Sequence, residues 1–163
     1  MSTQPGVQFI TPPNTLKAKL GGKLGGFDAN AVARAQAALE AMSEKFGDWL
    51  ADEVKRLEAA HAAARAPGAG EPELETLYFR AHDLKGLGVT YGTPLVSRIA
   101  ASLCKLLDSK EARASAPHAL LDAHVFAMRA VMRDSITTAE HPVGAMLIKE
   151  LEAKVALFAS ETE

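Results

Sequence analysis

The sequence predicts an all-α protein: an antiparallel four-helix bundle with an additional N-terminal helical segment. Three observations carry this. From Asp28 onward the apolar residues recur at steps of three and four, the spacing that lines one side of a helix. The same stretch is rich in Ala, Leu, Glu and Lys, all good helix formers. No segment alternates apolar and polar residues as a half-buried strand would. Amphipathic helices of about 15 to 20 residues joined by short loops pack most simply as an antiparallel bundle.

Residues 1–27 stand apart as a flexible tail, with 28–163 forming the bundle domain. The tail carries Pro5, Pro12 and Pro13 and ends in GGKLGG at 21–26, a composition that resists regular packing. GGKLGG lacks the spacing of a phosphate-cradling loop, and no apolar strand precedes it. Phe9–Ile10 is the tail's one apolar pair suited to docking.

The first helical stretch opens with Asp28 as N-cap and carries Val32, Ala35, Leu39, Met42 and Phe46 along one side. Gly47-Asp48 interrupts that stripe. Trp49, Leu50, Val54 and Leu57 resume it until Pro67-Gly68, so the sequence allows one kinked helix or two. PGAGEP at 67–72 is a loop. The next helix begins near Pro72, faces inward with Leu74, Leu77, Ala81, Leu84 and Gly88, and ends near Gly92, where a left-handed residue suits a helix C-terminus. Thr93-Pro94 reads as an N-cap with proline at the first helical position. The helix it starts runs to about Ser109, with Val96, Ile99, Leu103 and Leu106 inside. Ser115 and Pro117 start another, bearing Leu121, Val125, Met128 and Met132. After a loop at 135–142, a last helix turns Leu147, Leu151, Val155 and Phe158 inward.

Composition narrows the function. The 163 residues suit one domain, and 48% apolar against 23% charged is ordinary for a globular chain. Eighteen Lys and Arg against 20 Asp and Glu leave a formal charge of −2, which excludes nucleic-acid binding by bulk positive charge. Cys104 is the only cysteine, so neither an intramolecular disulfide nor a thiolate zinc site is available. No apolar run approaches the length of a membrane span, and the N-terminus lacks the apolar core of a signal peptide. The expectation is a cytoplasmic protein without a membrane partner, and the start at Met1 suggests a free-standing module.

Five histidines offer chemistry: His61, His82, His118, His124 and His141. His118 and Asp122 have helical spacing for a shared metal, but two ligands make no site, and no metal is expected. A Ser-His-Asp hydrolase would need a nucleophile elbow on a strand, and neither is present. A metal-dependent hydrolase in a bundle would need inward acidic residues or histidines, whereas the inner stripes are almost wholly aliphatic. The other four histidines read as exposed helix residues. His82 differs through its neighbours in RAHDLKGLGVTYG, residues 80–92.

On a helix, His82, Lys85 and Gly86 share one patch just outside the core stripe, with Tyr78 and Val89 on the same side. Gly86 and Gly88 each cost about 0.8–1 kcal/mol relative to alanine inside a helix, so each needs a reason. For Gly88, on the inner stripe, close helix packing suffices. Gly86 faces outward with His82, where the missing side chain would let a partner approach the imidazole. A neutral imidazole is a competent nucleophile, and near neutral pH most unperturbed histidine is neutral. An ammonium one turn away would stabilise charge on a transferring phosphoryl group.

The run HDLKGLGVTYG resembles HxLKGxxxxxG, the signature of the histidine phosphotransfer (HPt) domains of two-component phosphorelays. His82, Leu84, Lys85, Gly86 and Gly92 carry the match; the likeness extends more loosely to TPLVSRIAASLCKLLD and to the helical pattern over about 28–159. The resemblance implies a four-helix bundle whose mid-helix histidine relays a phosphoryl group between aspartates of receiver domains. By position, His82 is the phospho-acceptor, Lys85 the phosphate-stabilising cation, Gly86 the clearance for the receiver and Leu84 a core residue. Leu87 and Val89 depart from the family's small or polar residues there, and with Tyr78, Phe79 and Arg98 they form an expected docking rim. Ser97 and Ser102 are candidates to orient the imidazole. The implied partners are receiver domains of response regulators and of a hybrid or sensor histidine kinase. The chain would be a phosphocarrier and not an enzyme, with no cofactor of its own and Mg²⁺ supplied by the receiver. The alternative is a non-phosphorylated helical adaptor that binds receiver or kinase domains.

Overall fold

A computed structural model describes residues 29–162, and among these every regular element is an α-helix: α1 (Ala29–Ala64), α2 (Glu71–Thr90), α3 (Pro94–Leu106), α4 (Lys110–Ser115), α5 (His118–Arg133) and α6 (Pro142–Thr162). The fold is all-α. The expected tail, with Phe9–Ile10 and GGKLGG, and the Asp28 cap lie outside the described residues. The chain divides into two compact units at Glu40–Ala41, within α1. In residues 30–40 of the first unit every described residue is exposed.

In the second unit, α3 packs against α2, α5 and α6, while α5 also packs on α6 and α4 on α2. These pairings are compatible with the expected bundle. Its core is aliphatic, with Leu50, Leu57, Leu77, Leu84, Ile99, Leu103, Leu106 and Met128 fully buried.

α1 settles the question of one helix or two: it runs unbroken through Gly47-Asp48 for 36 residues. One interior glycine costs about 1 kcal/mol, which cannot break a helix whose following turns bury Leu50, Val54 and Leu57. The first half of the expected stripe is corrected. Val32, Leu39 and Met42 are 39%, 63% and 46% exposed, and Ala35 and Trp49 are exposed too. Periodicity decides which residues share a helix face, and a covering element decides whether that face is buried. Cover begins at Phe46, whose ring stacks on Tyr91 with centroids 5.2 Å apart.

α2 ends as expected, with Gly92 at φ 74° and the Thr93 N–H donating to the Gly88 carbonyl at 2.7 Å. Thr93 is not the side-chain cap foreseen for α3. Its hydroxyl donates back to the Gly88 carbonyl at 3.1 Å. α3 stops at Leu106, three residues early, because Ser109 caps α4, its Oγ accepting from the Ala112 N–H at 3.0 Å. That short helix was not anticipated.

Two histidines read as exposed are buried. His124 has no exposed surface: its Nδ1 bonds the Leu120 carbonyl at 2.7 Å, and its Nε2 meets the Ser102 hydroxyl at 2.9 Å. Since a carbonyl only accepts, Nδ1 carries the proton and Nε2 accepts from Ser102. Burial pushes this imidazole's pKa down, against the smaller opposing effect of the Leu120 carbonyl. His61 is 9% exposed, with Nε2 at 2.7 Å from Asp122 Oδ1, and Arg65 Nε reaches the same oxygen at 3.2 Å. Both rings can leave water because their polar atoms find partners. Asp122 therefore serves His61 and Arg65, while His118 meets Arg65. Among the described residues no three metal-ligating side chains gather at one point.

Candidate functional site

The site is built on the outer face of α2. Leu77, Ala81, Leu84 and Gly88 fix the opposite face in the core, at the three- and four-residue spacing of one helix stripe. His82 follows Ala81, so the helix turns its imidazole into solvent, and it is exposed. Leu84 is fully buried, as a core residue should be.

The two glycines have different surroundings. A Cβ on Gly88 would lie 2.6 Å from Ser97 Oγ, 2.8 Å from Ser97 N and 3.0 Å from the Thr93 carbonyl oxygen. Contacts that short are forbidden, so Gly88 exists to let α3 approach α2. A Cβ on Gly86 would meet nothing within 4 Å. Packing inside the chain gives no reason for a glycine there.

Around the imidazole, the Tyr78 ring centre lies 6.2 Å from that of His82, tilted 35°. Tyr78 is half-buried. It is braced by Phe79 at 5.6 Å and by the Arg113 guanidinium 5.9 Å from its ring centre. Arg113 is itself held, its guanidinium 2.7 Å from Glu71 Oε1 and donating to the Leu107 carbonyl at 3.0 Å. Phe79 and Val89 are 56% and 64% exposed, large apolar side chains left in water near the histidine. Leu87 is half-buried.

An open cleft of about 410 Å³ joins His82, Gly86 and Leu87 to the neighbouring α1, which contributes Glu53 and Arg56. Lys85 is exposed but does not line this cleft. Its charge is felt on the α3 side, by Cys104. Burial raises the Cys104 thiol to about 11, with Lys85 pulling the other way, so the lone cysteine is an inert core thiol.

The remaining expected residues are engaged elsewhere. Arg98 points to α6 and binds Glu152 through two hydrogen bonds of 2.8 and 2.7 Å. The Ser97 Oγ accepts from the Val89 N–H at 2.9 Å, and Ser102 serves His124. Both candidate imidazole-orienting hydroxyls are thus committed to holding α3 against α2 and α5.

Sequence reading missed Glu53 and Arg56. Their spacing of three on α1 is legible as an ion pair. That they border the same cleft as a histidine 26 positions beyond Arg56 depends on how α1 lies on α2. Compared with protein-family models, curated proteins and solved structures, the chain matches none.

Proposed function

We propose that this chain is a histidine phosphotransfer protein that relays a phosphoryl group between receiver aspartates through His82. The observation that carries the reading is the pairing of an exposed mid-helix imidazole with Gly86 one turn on, a glycine that internal packing does not require. Beside the sequence likeness of residues 82–92 to the HPt signature, this gives the missing side chain a use outside the chain.

In the transfer, a neutral ring nitrogen of His82 gives its lone pair to the phosphorus of an aspartyl phosphate. The phosphorus–oxygen bond to the donor aspartate breaks, and that carboxylate leaves with the bonding pair. The proton on the other ring nitrogen is retained or passes to water. Reversal onto a second receiver regenerates the imidazole. Mg²⁺ belongs to the receiver's site. Lys85, three residues along the helix, sets positive charge near the acceptor. Phe79 and Val89, with Tyr78 and Leu87, form the apolar part of the docking face. Arg98, expected on this rim, is hydrogen-bonded to Glu152 on the side toward α6. The chain supplies an acceptor and a surface and works in a reducing compartment such as the cytoplasm.

The test is phosphotransfer from pre-phosphorylated receiver domains, with the label scored for stability in acid and alkali. A label lost in acid, kept in alkali and abolished by His82→Gln supports the relay. A label that persists in His82→Gln moves the chemistry elsewhere. No label from a broad panel of receivers, with binding retained, leaves a helical adaptor.

A further inference from the structure

The cleft beside His82 holds two guanidinium groups and two carboxylates. From α2 come Arg80 and Asp83, loosely paired at 3.7 Å. From α1 come Arg56 and Glu53, with Arg56 Nη1 donating to Glu53 Oε1 at 2.6 Å. The Glu53 side chain is 19% exposed, whereas that of Arg56 is 60% exposed. As built, the four charges cancel, so the cleft by itself offers a dianion little attraction.

We infer that Arg56 is a second phosphoryl-binding cation for His82, delivered from a different helix and held ready by Glu53. This rests on the reading of His82 as phospho-acceptor and adds a residue that the sequence resemblance does not name. A phosphoryl group on His82 brings about two negative charges and three acceptor oxygens into the cleft. An exposed ion pair three residues apart on a helix is weak, so it yields readily to a more highly charged neighbour. Arginine has five donors in a planar fork: it can turn two N–H groups to the phosphoryl oxygens and keep another on Glu53. Gly86 leaves the path between α1 and the imidazole open, since no Cβ stands there. Lys85, three residues along α2 from His82, does not line this cleft, so the two cations would come to the phosphoryl group from different helices. Glu53 gives Arg56 its aim and keeps the empty cleft neutral, which disfavours capture of stray anions.

Phosphoramidate tests this without a docking partner. The His82 ring nitrogen attacks phosphorus, the phosphorus–nitrogen bond breaks, and ammonia leaves with the bonding pair. The full-length chain and its Arg56→Ala, Arg56→Lys, Glu53→Gln and His82→Gln variants are compared for initial labelling rate and for the half-life of the label at neutral pH. Arg56→Ala should lower the rate by at least about fivefold, the loss of one charge-assisted contact in a solvent-exposed site. Arg56→Lys should recover part of it, keeping the charge without the fork. Glu53→Gln should label more slowly than the parent, since Arg56 loses the carboxylate that aims it. Equal rates and half-lives in the parent and Arg56→Ala, with the label still on His82, overturn the role of Arg56 and leave the relay reading intact. A Glu53→Gln variant that labels as fast as the parent, or faster, overturns the holding role of Glu53. A parent chain no better labelled than His82→Gln overturns the relay reading itself.

Discussion

Gly88 and Ser97 are in contact so close that no side chain fits between them: a methyl group on Gly88 would stand 2.6 Å from Ser97 Oγ and 2.8 Å from Ser97 N. The same serine accepts the Val89 N–H at 2.9 Å. This one contact sets how near α3 lies to α2, and through α2 it fixes the helix that presents His82.

Gly88→Ala should therefore destabilise the protein by about 1–3 kcal/mol despite alanine's better helix propensity, because two of the crowded atoms are backbone. Gly86→Ala should do the opposite and add about 0.8–1 kcal/mol, since its Cβ would meet nothing within 4 Å. Urea midpoints of the two variants check both signs. A destabilised Gly86→Ala would mean that the glycine serves internal packing after all.

Gly86→Leu separates folding from docking. It should keep the parent's urea midpoint or better it, yet slow transfer from a phosphorylated receiver by on the order of tenfold, about 1.4 kcal/mol in the barrier. Stopped-flow or gel-based transfer kinetics would read this. Transfer at the parent rate would remove the clearance role proposed for the glycine.

His124 makes stability depend on pH. Burial depresses its pKa in the folded chain, so between its ordinary value and the lower folded one the unfolded chain binds more protons. Stability is thus lost as pH falls below about 6.5, the ordinary histidine value, with a slope of up to about 1.4 kcal/mol per pH unit from this residue. Urea unfolding at pH 7.5 and 5.5 should show a smaller drop in His124→Gln than in the parent. Equal drops would show that the ring takes up its proton without leaving the core.

The two halves of α1 should respond differently to truncation. Leu57→Ala empties a fully buried position and should cost about 2–5 kcal/mol. Leu39→Ala, at a position 63% exposed, should change stability by no more than about 0.5 kcal/mol. Thermal or urea melts of the two variants decide it. A large loss at Leu39 would place that face under cover in solution.

Much of the fold was legible in the sequence because it rests on local physics. The apolar period marked the stripes that α2, α3, α5 and α6 bury, and Gly92 with Pro94 located the break between α2 and α3. His82, Lys85 and Gly86 were placed on one patch by helix geometry alone, and the imidazole is indeed exposed. What could not be read involves partners distant along the chain. The burial of His124 depends on Ser102, 22 residues earlier on another helix. The different fates of Val32 and Leu57, on one face of one helix, depend on which stretch of that face receives a neighbour. Arg98, read from the sequence as part of the docking rim, meets Glu152 because α6 brings that carboxylate to it. Arg56 joins the His82 cleft only because α1 lies alongside α2. Residue type and spacing fix the faces of a helix, since those depend on bonds within it. Which faces meet, and so which charges and rings become neighbours, depends on packing between helices, and tertiary structure decided that.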